Sequence, residues 1–212
     1  EVAIEAARQS ALGVERVILH SLARHLEALP GGRAFRETDP RVREVAPAIA
    51  AIRGFLARVR THADGGGTYG RHLSLVHAVD HLDRMEELRG EFEELGELPE
   101  ALAPLARSLS LELSRAAEGE PGGLEAGSRE LAAARKAGRA RTLEAMATGE
   151  LSPEAGRMTI LHLKRMDRVG YHAWRAAHHL AVADGGAGAG VASGDAPHRG
   201  DEEEAEEGAG LE

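Results

Sequence analysis

Two short strings, Leu82-Asp83-Arg84-Met85 and Met166-Asp167-Arg168-Val169, decide how this chain is read. Both are apolar-Asp-Arg-apolar tetrads, and they lie 84 residues apart, about half of what precedes the acidic end of the chain. Each sits in a long helical pattern that closes a set of three. A four-residue match is short, but its matching place in both halves points to duplication of a three-helix unit.

Around the strings, breakers divide the chain into six segments. They are Pro30-Gly31-Gly32 through Asp39-Pro40, Asp64-Gly65-Gly66-Gly67, Gly96 to Pro99, Gly119 to Gly123, and Gly149 to Pro153. Between them apolar residues recur at intervals of three and four, the helical period. The first segment carries Ile4, Ala7, Ala11, Val14, Ile18, Leu22, Leu26 and Leu29. The second carries Val42, Val45, Ile49, Ile52, Leu56 and Val59, opened by Asp39 as cap and Pro40 at the first helical position. Pro47 marks a kink or a late start there. The third has Leu75, Val79, Leu82, Met85, Phe92 and Leu95, with Thr68 as a candidate cap. The fourth has Leu102, Leu105, Leu109, Leu113 and Ala116. The fifth, about Leu124 to Met146, is Ala-rich and has the weakest stripe. The sixth, entered through Ser152-Pro153, has Met158, Leu161, Val169, Ala173, Ala176 and Leu180.

Composition agrees with helices. The 212 residues are 42% hydrophobic and 29% charged but only 3% aromatic, poor material for a β-sandwich and good material for helices. The expected fold is all-α: two tandem three-helix bundles over residues 1–96 and 97–184, followed by a disordered Gly/Ala/Glu-rich acidic tail over 185–212. That tail holds eight acids and one base, net −7 of the chain's −9, so residues 1–184 carry only −2. A nearly neutral body without aromatic-basic interleaving argues against nucleic acid. No stretch approaches the ~20 apolar residues of a membrane span. The absence of Cys removes disulfides, thiolate metal sites and thiol nucleophiles.

The second string extends as Met166-Asp167-Arg168-Val169-Gly170-Tyr171-His172-Ala173, and the first as His81-Leu82-Asp83-Arg84-Met85-Glu86-Glu87. Both resemble the Leu-Glu-Arg-Ile-Gly-Asp-His-Ala string of the PhoU family, tandem three-helix bundles that carry it on the last helix of each bundle. The run from Asp167 to Arg175, followed by His178-His179-Leu180, looks like the PhoU-like domains that follow the membrane region of bacterial sodium/phosphate symporters. The resemblance implies a cytoplasmic regulatory domain at the inner face of the plasma membrane, partnered with a transporter membrane region. A chain opening at Glu1 on a helical pattern is expected to continue a longer protein. The alternatives are a free-standing regulator of phosphate transport, a metal-binding helical protein, or a scaffold that forms a homodimer through its charged stripes.

The family also implies metal held by acids spaced four apart, which share one helical face and can converge on a cation. Asp83 and Glu87 keep that spacing, with Asp80 beside them, and would take a divalent or iron-type ion. The second half keeps Asp167 but has Tyr171 at the partner position, a phenol normally protonated at neutral pH. The competing reading is a solvated acidic stripe through Asp80, Asp83, Glu87, Glu91 and Glu94. His77 and His81, also four apart, have a spacing suited to zinc or nickel; the default is ordinary polar or core histidines. On the sixth helix Lys164, Arg168, His172, Arg175 and His179 share one face. Two readings stand: a surface that meets an acidic partner, the acidic stripe of the third helix, or anionic lipid beside a transporter, and a solvated face with local ion pairs. Trp174 reads as core or interbundle packing. Gly65-Gly66-Gly67 lacks the Lys-Ser or Lys-Thr of a phosphate loop, and no serine has the strand-turn-helix setting of a nucleophile, so no enzyme is expected.

Overall fold

The computed structural model describes residues 1–31, 35–60, 67–94 and 97–185. The expected acidic tail, from residue 186 on, lies outside them. Six α-helices account for most of the described residues, and none of these residues is in a strand. They are α1 (Val2–Ala28), α2 (Val45–Leu56), α3 (Gly67–Glu94), α4 (Ala103–Ala117), α5 (Leu124–Ala147) and α6 (Pro153–Ala183). Single 3-10 turns precede α2, α4 and α5.

Local signals set several boundaries. The Asp39 carboxylate accepts from the Arg41 backbone N–H at 2.9 Å, and Pro40 opens a 3-10 turn that leads into α2. Pro47 marks a late start, because α2 begins at Val45 and a proline in the first turn removes an N–H that has no intrahelical partner anyway. The α2 stripe then buries Val45, Ile49, Ile52 and Leu56, while Val59 falls beyond the helix. Ser152 accepts from the Ala155 N–H at 3.2 Å with Pro153 at the first position of α6. Thr68 differs from expectation: α3 already begins at Gly67, so Thr68 lies within the helix.

The three helices of each half touch one another, α1 with α2 and α3, and α4 with α5 and α6. The halves then join through like helices: α3 lies along α6, and α1 lies along α4. The buried apolar side chains of all six helices form one continuous cluster. A half of under ~100 residues has little core of its own, and sharing one offsets that deficit.

The α3–α6 pair is antiparallel. Arg71 Nε donates to the Ala183 carbonyl at 2.6 Å, His77 stacks on His179, His81 meets His172, and Glu91 is ion-paired with Arg165. Ascending one helix therefore descends the other. Interpolation puts Met85 level with Val169, the closing residues of the two repeated strings, and both are fully buried. A twofold relation between the halves would pass through this point. Near the crossing of α1 and α4, the Ser110 hydroxyl donates to the Ala23 carbonyl at 2.8 Å, again joining residues of similar place in each half.

The weak stripe of α5 has a packing reason. A Cβ on Gly138 would sit 2.6 Å from Leu163 Cδ1, and one on Gly170 would sit 2.4 Å from Leu131 Cδ1. Glycines let α5 and α6 approach closely, so α5 contributes small groups to the core instead of a row of leucines.

Gly13 is different. It lies in mid-α1, exposed, and a Cβ added to it would meet nothing within 4 Å. Gly13→Ala is expected to stabilise the protein by about 0.5–1 kcal/mol in urea unfolding, because alanine loses less backbone freedom in a helix. A destabilised variant would show that something packs on this face of α1.

Candidate functional site

Antiparallel packing of α3 on α6 gathers histidines. His77 and His81 are one turn apart on α3, and His172 and His179 are two turns apart on α6. His81 Nδ1 lies 2.9 Å from His172 Nδ1. One ring donates and the other accepts, so at least one must be neutral. The His179 ring stacks on His81 at 5.7 Å between centroids and on His77 at 5.2 Å. Tyr171 presents an edge contact to both His81 and His172. His172 is only 7% exposed. The sequence contained both histidine pairs but not their meeting, which depends on the face and register of the seam.

The basic face of α6 is therefore partly internal. His172 is buried against α3, and Lys164, Arg168, Arg175 and His179 are half-buried. An ion pair from α6 to the acidic residues of α3, Arg165 to Glu91, uses a residue beside the expected stripe. Trp174 packs partly buried against the core, with the Arg175 guanidinium 5.4 Å from its ring centre and Tyr171 at its edge.

The four carboxylates implied as metal ligands do not converge: Asp80 and Asp83 share one arginine, and Glu87 and Asp167 have others. Arg53 of α2 binds Asp83 at 2.8 Å and reaches Asp80 at 3.4 Å. Glu87 is paired with Arg84 at 2.8 Å. Asp167 is 1% exposed and faces Arg135 of α5 at 2.7 Å. Arginines stand where a cation would be needed, and among the described residues no three His, Asp or Glu side chains gather to hold a metal ion.

The arrangement of these pairs is itself informative. In each half, the Asp of the repeated string is held by an Arg of the preceding helix: Arg53–Asp83 from α2 to α3, and Arg135–Asp167 from α5 to α6. The aspartates are 84 residues apart and the arginines 82, so the pair repeats nearly in register. Their environments have diverged. Asp83 is at the surface, with its side chain 37% exposed, whereas Asp167 is enclosed. The arginines were not singled out in the sequence; the signal available was a basic residue at a similar place in each second helix.

Glu15 was also not apparent. It lies on α1 beside the apolar stripe and is 6% exposed. Burial pushes its carboxyl up to about 7, opposed by the nearby Arg16 charge. It borders a half-open cleft of about 210 Å³ together with Arg8, Leu12, Ala116 and Leu180.

No family model, no curated protein and no solved structure matches the chain.

The divergence of the two ion pairs has a measurable consequence. Asp167→Ala removes an enclosed carboxylate from beside the half-buried Arg135 guanidinium and is expected to cost about 2–3 kcal/mol in denaturant unfolding. Asp83→Ala removes an exposed pair and is expected to cost under about 1 kcal/mol. Equal losses would contradict the difference in burial.

Glu15 generates a second expectation. Its folded form holds the proton more tightly than the unfolded chain, so its burial is cheapest below the ordinary value of 4.5. As pH rises from there through about 7, the unfolded chain ionises first and stability falls, by about 3 kcal/mol at the limit. Glu15→Gln is therefore expected to be more stable than wild type at about pH 8, with the difference shrinking toward about pH 4. A pH-independent difference would show that ionisation is not the cause.

Proposed function

We propose that this chain is a PhoU-like regulatory domain of a sodium-dependent phosphate symporter, acting on a membrane region from the cytoplasmic side. The observation that supports it most is the repeated Arg–Asp pair, which anchors the family-like string to the preceding helix in both halves. The pairing of α3 with α6 and of α1 with α4 adds to it, since a duplicated unit that packs on itself joins like helices. The motif on α6 that most resembles the symporter domains runs along the seam between the halves.

No helix among the described residues is long and apolar enough to cross a membrane. Any effect of these residues on transport therefore passes through contact with a membrane region. In this reading the domain binds one transporter conformation better than another and shifts the population accordingly. A tenfold bias requires about 1.4 kcal/mol of differential contact energy. The domain need not bind phosphate itself, and the reading requires no chemistry from it.

The test is sodium-dependent phosphate uptake by cells carrying the intact gene or the gene with residues 1–184 deleted, at matched amounts of membrane protein. The expected outcome is a severalfold change in uptake rate or in its dependence on phosphate concentration. Identical uptake in the two strains would refute a regulatory role in phosphate transport.

A further inference from the structure

We propose that the histidine cluster at the α3–α6 seam binds a single zinc-type transition-metal dication, held first by Nδ1 of His81 and Nδ1 of His172. This site is separate from the carboxylates Asp80, Asp83, Glu87 and Asp167, and it does not depend on the phosphate-transport reading.

The geometry carries the argument. Imidazole nitrogens bind zinc at about 2.0–2.1 Å, so two of them on one tetrahedral ion stand about 3.3 Å apart. The two Nδ1 atoms are 2.9 Å apart, a few tenths of an ångström short of that spacing. Their ring centroids are 5.2 Å apart, so each Nδ1 points at the other along the line between the rings, and turning both rings about their centres would aim the two nitrogens at one ion beside that line. An ion entering there exchanges the imidazole–imidazole hydrogen bond for two coordinate bonds, and the proton of the donating Nδ1 passes to Nε2 of the same ring, so both imidazoles bind in the neutral form.

Further donors are close. The His179 ring lies parallel to that of His81, 14° between planes and 5.7 Å away, and His77 lies 5.2 Å beyond it. In the present arrangement no three of these groups converge, so the site has two ligands in place and is completed by rotation of His179 or His77. Nitrogen donors without thiolates suit zinc, nickel and copper dications and disfavour magnesium and calcium. The ligands come from helices of different halves, so metal would clamp the two halves together and stabilise the folded chain by mass action.

Isothermal titration with Zn²⁺ tests the site in the full chain, with thermal unfolding in Zn²⁺ and in chelator beside it. The expected result is one ion per chain at micromolar or tighter affinity, and a raised unfolding midpoint in Zn²⁺. His81→Asn and the double variant His81→Ala/His172→Ala are expected to weaken binding about 100-fold or more and to abolish the thermal gain. Asp83→Ala/Glu87→Ala and His20→Ala are expected to bind as wild type. If seam variants do not fold, the wild-type histidine ring signals in NMR decide: Zn²⁺ should move those of His81 and His172 first. The proposal is overturned if wild type binds no Zn²⁺ below about 1 mM. It is equally overturned if binding survives in folded seam variants, follows Asp83 and Glu87, or shifts only other histidines.

Discussion

The antiparallel contact of α3 with α6 is the constraint on which the rest of the molecule hangs. It places Met85 level with Val169 in a fully buried centre. From there it fixes what each helix meets on either side: the histidines toward one end, Glu91 and Arg165 toward the other. Full burial of side chains of this size stabilises by roughly 1.5–3 kcal/mol each, more than any exposed ion pair on the surface. One end of the seam is tied by polar contacts. Arg71 donates to the Ala183 carbonyl in the last turn of α6, where a cation also complements the helix dipole, and Arg8 of α1 pairs with Asp184 at 2.8 Å.

The two halves show how one local device behaves in different dielectric settings. Arg53–Asp83 sits where water screens it, and Arg135–Asp167 sits under the close approach of α5. That approach follows from the glycines at the α5–α6 contact, which leave no room for a Cβ at Gly138 or Gly170 without displacing a leucine methyl. Small residues on one helix therefore decide the electrostatics of an aspartate on the next. The same Arg–Asp pairing can therefore occur in both halves and contribute differently in each.

The helices were legible in the sequence because apolar spacing reports burial directly, as the α2 stripe shows at Val45, Ile49, Ile52 and Leu56. The Asp39 cap and the entry through Ser152-Pro153 were legible because each is set by residues within a few positions of the helix start. Faces that meet across the two halves were less so. Charged and imidazole side chains on α6 resemble a solvated face, and sequence spacing does not say that His172 is buried against His81. A long polar side chain can cover apolar surface while its tip finds a partner. Glu15 was missed because one acid beside an apolar stripe reads as its polar edge, whereas α1 is enclosed on that side as well. The partners of Asp83 and Asp167 depend on interhelix rotation, which periodicity alone does not set.

Since the chain has no cysteine, the seam can be probed by oxidation with no background. Glu91→Cys/Arg165→Cys joins positions in ion-pair contact across α3 and α6, and Glu91→Cys/Arg175→Cys joins positions, each six residues beyond the level pair Met85 and Val169, that only a parallel seam would bring together. Mild oxidation followed by non-reducing electrophoresis should show an intramolecular disulfide in the first variant and none in the second. A cross-link only in the second, or in neither, would contradict the antiparallel seam and with it the twofold relation of the two halves.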